Sequence, residues 1–190
     1  MKRVIFKTQW KEALRYLREC RNYIYFVFVV FLFSALIGFF QAERFGFIEK
    51  LLEEILNTIY GMDGAELIFF ILQNNLQSAF FGLYLGVFLG IFPLVNAVGN
   101  GVILGFVAER VVSDVGYVEL LRIFPHGVFE LPAVFISLGL GMKLGMFVFA
   151  RDKAREFKRR FYNSANVFLF VVVPLLIVGA FIEGILIVLG

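Results

Sequence analysis

The sequence predicts an all-α protein, a polytopic membrane bundle of about five transmembrane helices with one additional helix at the membrane surface. The first observation is composition: 61% of the 190 residues are hydrophobic, 26 are phenylalanine, and the mean hydropathy is +0.86. Soluble domains are only about 45 to 50% apolar. The second is segmentation, because charged residues divide the chain into apolar stretches near the ~20 residues that cross a bilayer. We therefore expect a single membrane domain over residues 1–190.

The predicted spans follow from these boundaries, as residues 22–41, 67–92, 94–108, 126–150 and 166–190. The first is not a removable signal peptide in our interpretation, because it follows many charges and lacks a small-residue cleavage site. Cys20 is the only cysteine, so no internal disulfide can form.

Charge distribution predicts the topology. Residues 1–21 form a basic arm with seven lysines and arginines, and residues 151–163 hold six more, whereas residues 43–66 and 109–125 hold two each. With five spans, both basic regions fall on one side, which the positive-inside rule makes cytoplasmic. We thus expect a multi-pass protein of the cell membrane with a cytoplasmic amino terminus and an external carboxyl terminus. The basic residues would meet the lipid bilayer, so we do not expect nucleic acid as a partner.

The connection over residues 43–66 carries an amphipathic pattern. Apolar residues from Phe47 to Ile59 recur at helical spacing, while Glu49, Glu53 and Glu54 occupy the other face. This pattern is typical of a helix that lies at a membrane interface, here the external one.

Glycines recur every four residues in three of the predicted spans. Small residues at this spacing let helix backbones approach closely where lipid provides no hydrophobic force for association. We expect them to pack spans two to four together, within one chain or between two chains of a homo-oligomer. The glycines are Gly82, Gly86, Gly90, Gly101, Gly105, Gly141 and Gly145.

Polar side chains in four spans are predicted to reach the outer half of the bilayer. His126 and Glu130 lie one helical turn apart at the start of span four. An acid at the middle of a membrane helix costs roughly 2.5 to 3.5 kcal/mol, so such residues indicate function by default. A structural alternative is a capped helix start or hydrogen bonds between helices. The remaining members of this predicted polar cluster are Gln73, Asn74, Asn75, Glu109 and Glu183.

Several motifs together resemble a known family. The runs QNNLQSAFFGLYLGVFLG, NGVILG, PHGVFELPA, GMKLG and FIEG occur in this order from about Leu67 to the carboxyl end. They are similar to the integral membrane family typified by stage II sporulation protein M. The resemblance implies a membrane scaffold that holds peptidoglycan-degrading partners without catalysis of its own. It implies motif positions at Asn74, Asn75, Asn100, Gly101, His126, Gly127, Glu130 and Glu183.

Three functions compete on this basis. The first is a scaffold that binds other membrane or envelope proteins. The second is a small transporter or channel, in which His126, Glu130 and Glu183 form a proton or cation site. The third is a membrane metalloenzyme, in which the same three residues hold a divalent cation. We favour the scaffold, with no enzymatic activity and no cofactor, because the chain has a single histidine and lacks serine-elbow, phosphate-loop and paired-cysteine motifs.

Overall fold

The computed structural model describes the backbone of residues 2–189 and the side chains of residues 8–118 and 127–182. This part of the chain contains no strand, and its α-helices pack into one bundle, so the predicted all-α membrane fold is confirmed. The helices are α1 (Lys2–Phe40), α2 (Phe47–Ile59), α3 (Gly64–Tyr84), α4 (Ile91–Val115), α5 (Leu120–Gly145), α6 (Lys153–Val167) and α7 (Val173–Leu189).

Helix α1 continues without a break through both the predicted arm and the first predicted span. From Lys2 onward, the residues of the predicted basic arm therefore belong to the same helix as the first predicted span. The helix continues because its buried face extends from the apolar span into the basic part: Ala13, Tyr16 and Cys20 are as buried as Val27 and Phe31. Ala13, Tyr16 and Cys20 belong to the core cluster that includes side chains of α3, α5 and α7.

Helix α2 is the amphipathic helix that the sequence predicts within residues 43–66. Ile48 is its buried anchor, in a small core cluster with Ala42 and Phe106. Helix α3 then begins after a capping box at Asp63. The Asp63 carboxylate accepts hydrogen bonds from the backbone of Ala65 and Glu66, each at 2.9 Å, and the Glu66 carboxylate accepts one from the Asp63 backbone.

The corner between α3 and α4 lies earlier than the sequence suggested. We expected spans at 67–92 and 94–108, with Pro93 and Asn96 marking the turn between them, but α3 ends at Tyr84 and α4 begins at Ile91. Leu89 and Gly90 make the turn with φ values of +57° and +72°. Pro93 instead lies in the first turn of α4, where proline costs no helical hydrogen bond.

Helix α5 is central to the bundle, since it contacts α1, α3, α4, α6 and α7. After it, the basic stretch 151–163, which we expected to be a connection, forms most of α6. A π-helical turn at Phe168–Val172 joins α6 to α7. This wider turn precedes Pro174, which cannot donate a backbone hydrogen bond to the turn before it.

Four helical segments of the described chain are long and apolar enough to cross a membrane, not five. They are Thr8–Phe40, Ile91–Val115, Gly127–Phe149 and Lys153–Ile182. Helix α3 replaces the second predicted span, and its 21 residues are about 31 Å long. Its length suffices, but its centre carries Gln73, Asn74, Asn75, Gln77 and Ser78, which lower its hydropathy.

The bundle has two chemically different ends. At the end that we call the basic end, the corner between α3 and α4 packs beside α6, with Tyr84 against Phe161. At the opposite end, which we call the α2 end, Arg110 near the close of α4 bonds to Glu49 of α2. Helix α3 runs between these two ends.

Candidate functional site

Helix backbones come into direct contact at glycines inside the bundle. A Cβ atom on Gly86 would overlap the backbone of Gly141, and a Cβ atom on Gly141 would overlap the backbone of Gly82. Gly82 faces the side chain of Leu138, and Gly145 faces the corner at Gly90. Five of the glycines that the sequence pointed to thus lie where α5 meets α3 and the corner.

The other two predicted glycines lie on a different interface. Gly101 and Gly105 of α4 face the backbone of α1 at Phe31 and Ala35. Gly38 of α1 in turn meets the backbone of Val102, so small residues on both helices bring α1 and α4 together.

The middle of α5 is apolar. Between Glu130 and Lys143, the residues Ala133, Leu138 and Leu140 are fully buried. Ser137 is buried there too, and its hydroxyl donates a 2.6 Å hydrogen bond to the Ala79 carbonyl of α3. The Ser137 hydroxyl therefore has a hydrogen-bond acceptor within the interface between α3 and α5.

An amide strip runs along the outside of α3 and α4, formed by Asn74, Ser78, Asn96 and Asn100. The Asn96 amide donates a 3.4 Å hydrogen bond to the Ser78 hydroxyl, which links the two helices. The Asn100 amide donates to both the backbone and side-chain oxygens of Asn96, each at 2.9 Å. Asn74 lies one helical turn from Ser78, and Asn74 and Asn100 are both exposed.

Helical phase explains where the predicted amides of α3 point. Ala79, Gly82 and Leu83 form the buried face of the helix, so Gln73 and Asn74 lie on the outer surface of the bundle and not in its interior. Asn75 is half-buried. The family-motif pair on α4 is divided in the same way: Asn100 is exposed and Gly101 is buried.

Glu130 is half-buried between α5 and α7. Its side chain lies against Gly179, where a Cβ atom would come within 2.8 Å of the Glu130 Cγ atom. Gly127, one turn earlier, is half-buried. The side chains of His126 and Glu183 lie outside the described residues, so the predicted cluster of these residues with Glu130 stays a prediction.

Glu109 belongs to a polar group at the α2 end. It accepts a 2.8 Å hydrogen bond from the Ser113 hydroxyl, and its second oxygen lies 3.8 Å from the guanidinium of Arg110. Arg110 also makes a 2.6 Å ion pair with Glu49, so this group connects α4 to α2.

A second polar group, which sequence reasoning missed, lies at the basic end. We call it the Glu19 cluster: the Glu19 carboxylate lies within 4.0 Å of Lys143, Arg159 and Arg15. Lys143 is only 8% exposed, and its ammonium also lies 4.3 Å from the centroid of the Tyr16 ring. The cluster could have been found by extending the helical periodicity of α1 below residue 22, which places Glu19 beside its buried face.

The described side chains contain no group of three or more histidines, cysteines, aspartates and glutamates that could hold a metal ion. Two of the three candidate ligands, His126 and Glu183, are not among them.

These features define a class of protein: a multi-pass helical membrane protein that is closely packed where its side chains are described, with polar groups on the outer surface and at the ends of that part. The family model of stage II sporulation protein M matches residues 27–186. The chain therefore belongs to that family, which confirms the resemblance in its motifs. No curated protein and no solved structure matches the chain significantly.

Proposed function

We propose that this protein is a membrane scaffold that holds other membrane or envelope proteins on its outer surface. The observation that carries the proposal is the position of the amides: Gln73, Asn74 and Asn100 are exposed on helices of a membrane bundle. A carboxamide that faces hydrocarbon loses its hydrogen bonds to water, whereas a neighbouring helix can replace them.

The close packing of the described interior supports a scaffold more than a transport pathway. Backbone contact between Gly141 and Gly82 packs α3 tightly against α5, and the middle of α5 is apolar apart from Ser137, whose hydroxyl is bonded. Close packing of this kind makes a rigid body, because packed interiors do not deform continuously. A rigid body with polar groups on one face is suited to orient partners.

The orientation in the membrane is part of the proposal. The basic end, with α6 and the first turns of α1, lies in the cytoplasm, and the α2 end lies outside, in accord with the positive-inside rule. Helix α3 then crosses the membrane as a fifth span, since it runs from one end of the bundle to the other.

Photo-crosslinking in the native membrane tests the scaffold directly. A photoreactive amino acid replaces Asn74 or Asn100 in the amide strip, and in a third variant replaces Phe33, a control on the exposed apolar face of α1. We expect a discrete protein adduct at positions 74 and 100, identified by mass spectrometry, and only lipid adducts at position 33. Lipid adducts alone at all three positions would contradict the proposal.

One observation favours transport as a second candidate. Glu130 is an ionisable group half-buried between two membrane helices, and such groups often belong to ion pathways. If Glu130 carries protons or cations, purified protein in vesicles will show a flux that Glu130→Gln abolishes. Equal flux in the two proteins, or none in either, removes this candidate.

A further inference from the structure

Two glutamines lie halfway along the outer face of α3. Gln73 and Gln77 are one helical turn apart, and both are exposed on the side away from the buried residues Ala79, Gly82 and Leu83. Within the described part of the chain, neither carboxamide has a hydrogen-bond partner. Each therefore has a donor and an acceptor that the bundle itself does not use.

The depth of these two side chains limits what can bind them. In the proposed orientation, on which this step rests, α3 spans the bilayer. Gln73 lies nine residues from Gly64 and Gln77 lies seven residues from Tyr84, so the nearer ends of α3 are about 14 Å and about 10 Å away. Both distances exceed the length of a glutamine side chain. Acyl chains form no hydrogen bonds, so a protein surface has to supply them.

The glutamines belong to a stripe with the spacing of a helix–helix seam. Phe70, Gln73, Gln77 and Phe80 follow one another at intervals of three, four and three residues, as positions a and d do in a coiled coil. Phe80 is exposed and Phe70 is half-buried. The outer face of α3 thus has two amides at its centre and an aromatic ring on either side of them.

A second copy of the chain meets the requirements of this face. Residues 67–108 contain no charged side chain, so the covering surface has to be neutral, with donors and acceptors at the depths of the two glutamines. A carboxamide is its own complement, because its NH2 group donates and its oxygen accepts. A two-fold axis along the membrane normal places each glutamine opposite the same glutamine of the other copy, at the same depth.

We propose that two copies of this protein pair through α3, with Gln73 and Gln77 of each copy hydrogen-bonded to the same residues of the other. The two α3 helices run parallel, and polar residues inside such a seam fix its register. The amide strip stays free, because Asn74 lies about 100° around the helix from Gln73. A dimer presents two amide strips to partners, but the pairing does not require those partners.

Disulfide trapping of the purified full-length chain in phosphatidylcholine vesicles tests the pairing. In a Cys20→Ser background, a single cysteine replaces Gln73 or Phe80 in the stripe, or Phe33 on the exposed face of α1 as the control. Oxidation with copper phenanthroline should link two copies at positions 73 and 80 and leave the position 33 variant monomeric. Absence of a linked dimer at positions 73 and 80, or an equal yield at position 33, would overturn the proposal.

Leucine substitutions in the chain with its native Cys20 test the amides themselves. Gln73→Leu with Gln77→Leu removes at least two interhelical hydrogen bonds, and at about threefold for each the dissociation constant of the dimer should rise about tenfold. Asn74→Leu, in the amide strip, is the matched control and should leave this constant unchanged. Single-molecule photobleaching of fluorophore-labelled protein, diluted stepwise in lipid, measures the constants.

An unchanged constant in the double variant, or an equal rise in Asn74→Leu, would contradict pairing through the glutamines. No other protein is present in these vesicles, so a negative result here leaves partner binding at the amide strip untouched. Photo-crosslinking at Asn74 and Asn100 tests that binding separately.

Discussion

At the scale of single residues, the helices of this bundle pack closely because glycines, which have no side chain, lie where their backbones meet. At Gly141 a Cβ atom would meet the Pro93 ring at 2.9 Å and the Leu83 carbonyl at 3.0 Å. Neither atom belongs to a flexible chain end that could move aside. The backbones must therefore separate if this residue gains even one methyl group.

Gly141→Ala should destabilise the bundle by about 1 to 3 kcal/mol, the usual cost of overpacking a dense core. The matched control is Gly99→Ala in α4, where a Cβ atom would meet nothing within 4 Å. There we expect stability to be unchanged or raised by up to about 1 kcal/mol, from helix propensity. Reversible unfolding in mixed micelles measures both. Equal stabilities of the two variants would show that α3 and α5 do not pack through this glycine.

Lys143 is a buried cation whose partner is Glu19, at 3.3 Å. Glu19→Gln should cost about 1 to 3 kcal/mol, because the ammonium loses its anion while it remains buried. Adding Lys143→Met should restore most of this stability, since an apolar side chain needs no anion. Unfolding of the two single variants and the double variant gives the coupling energy. A zero coupling energy would show that the pair does not contribute to the fold.

At the scale of elements, sequence patterns located what depends on local periodicity. The amphipathic spacing around Ile48 located α2, and the four-residue glycine spacing identified helix faces that pack closely. The patterns were less informative where a tertiary contact decides the outcome. Arg159 and Arg160 suggested a connection, yet their ion pairs with Glu156 and the packing against α1 and α5 support a helix there.

In the candidate site, too, the sequence predicted the residue types better than the direction in which their side chains point. The sequence identified the amides of α3 and α4 as residue types that are costly in a membrane, but Gln73 and Asn74 face outward because the phase of α3 is set by Ala79 and Gly82 against α5. The glycine spacing had already marked Gly82 as a packing position, and Gln73, nine residues earlier, lies on the opposite side of the helix, so applying that phase to the amides would have placed Gln73 outside. The Glu19 cluster was missed because the predicted first span began at residue 22; the periodicity of α1 locates Glu19, while its partners Lys143 and Arg159 come from two other helices.

Helix α2 should be held to the bundle mainly by Ile48, because the Glu49 pair with Arg110 is partly exposed and such pairs contribute about 1 kcal/mol or less. Ile48→Ala should cost about 2 to 5 kcal/mol locally and speed amide hydrogen exchange throughout α2. Leu56→Ala is the control, since Leu56 is exposed on the same helix. Unaltered exchange in Ile48→Ala would show that α2 is anchored elsewhere.

At the scale of the whole molecule, the number of crossings depends on α3. It is not among the four segments that are apolar enough to cross, but it is about as long as a bilayer is thick and runs from the α2 end to the basic end. Its amides can be accommodated if a partner covers them. The same partner contact would then explain both the polar centre of α3 and the scaffold function.

Cysteine labelling determines the topology. In a Cys20→Ser background, Tyr60→Cys before α3 should react with an impermeant thiol reagent added to intact cells. Phe88→Cys, at the corner after α3, should react only once the membrane is opened. Both positions are exposed, so access and not burial decides the result. Reaction of both from the same side would show that α3 does not cross and that the chain has an even number of spans.

Joint replacement of Asn74 and Asn100 by leucine is the most direct test of the scaffold, with the protein captured by crosslinking at position 74 as the partner. Neither amide supports the interior, so the isolated bundle should keep or gain stability, since leucine is more favourable than asparagine against lipid. Co-purification of the partner from native membranes should fall sharply. Retained partner binding, or loss of binding only because the bundle itself unfolds, would contradict the account.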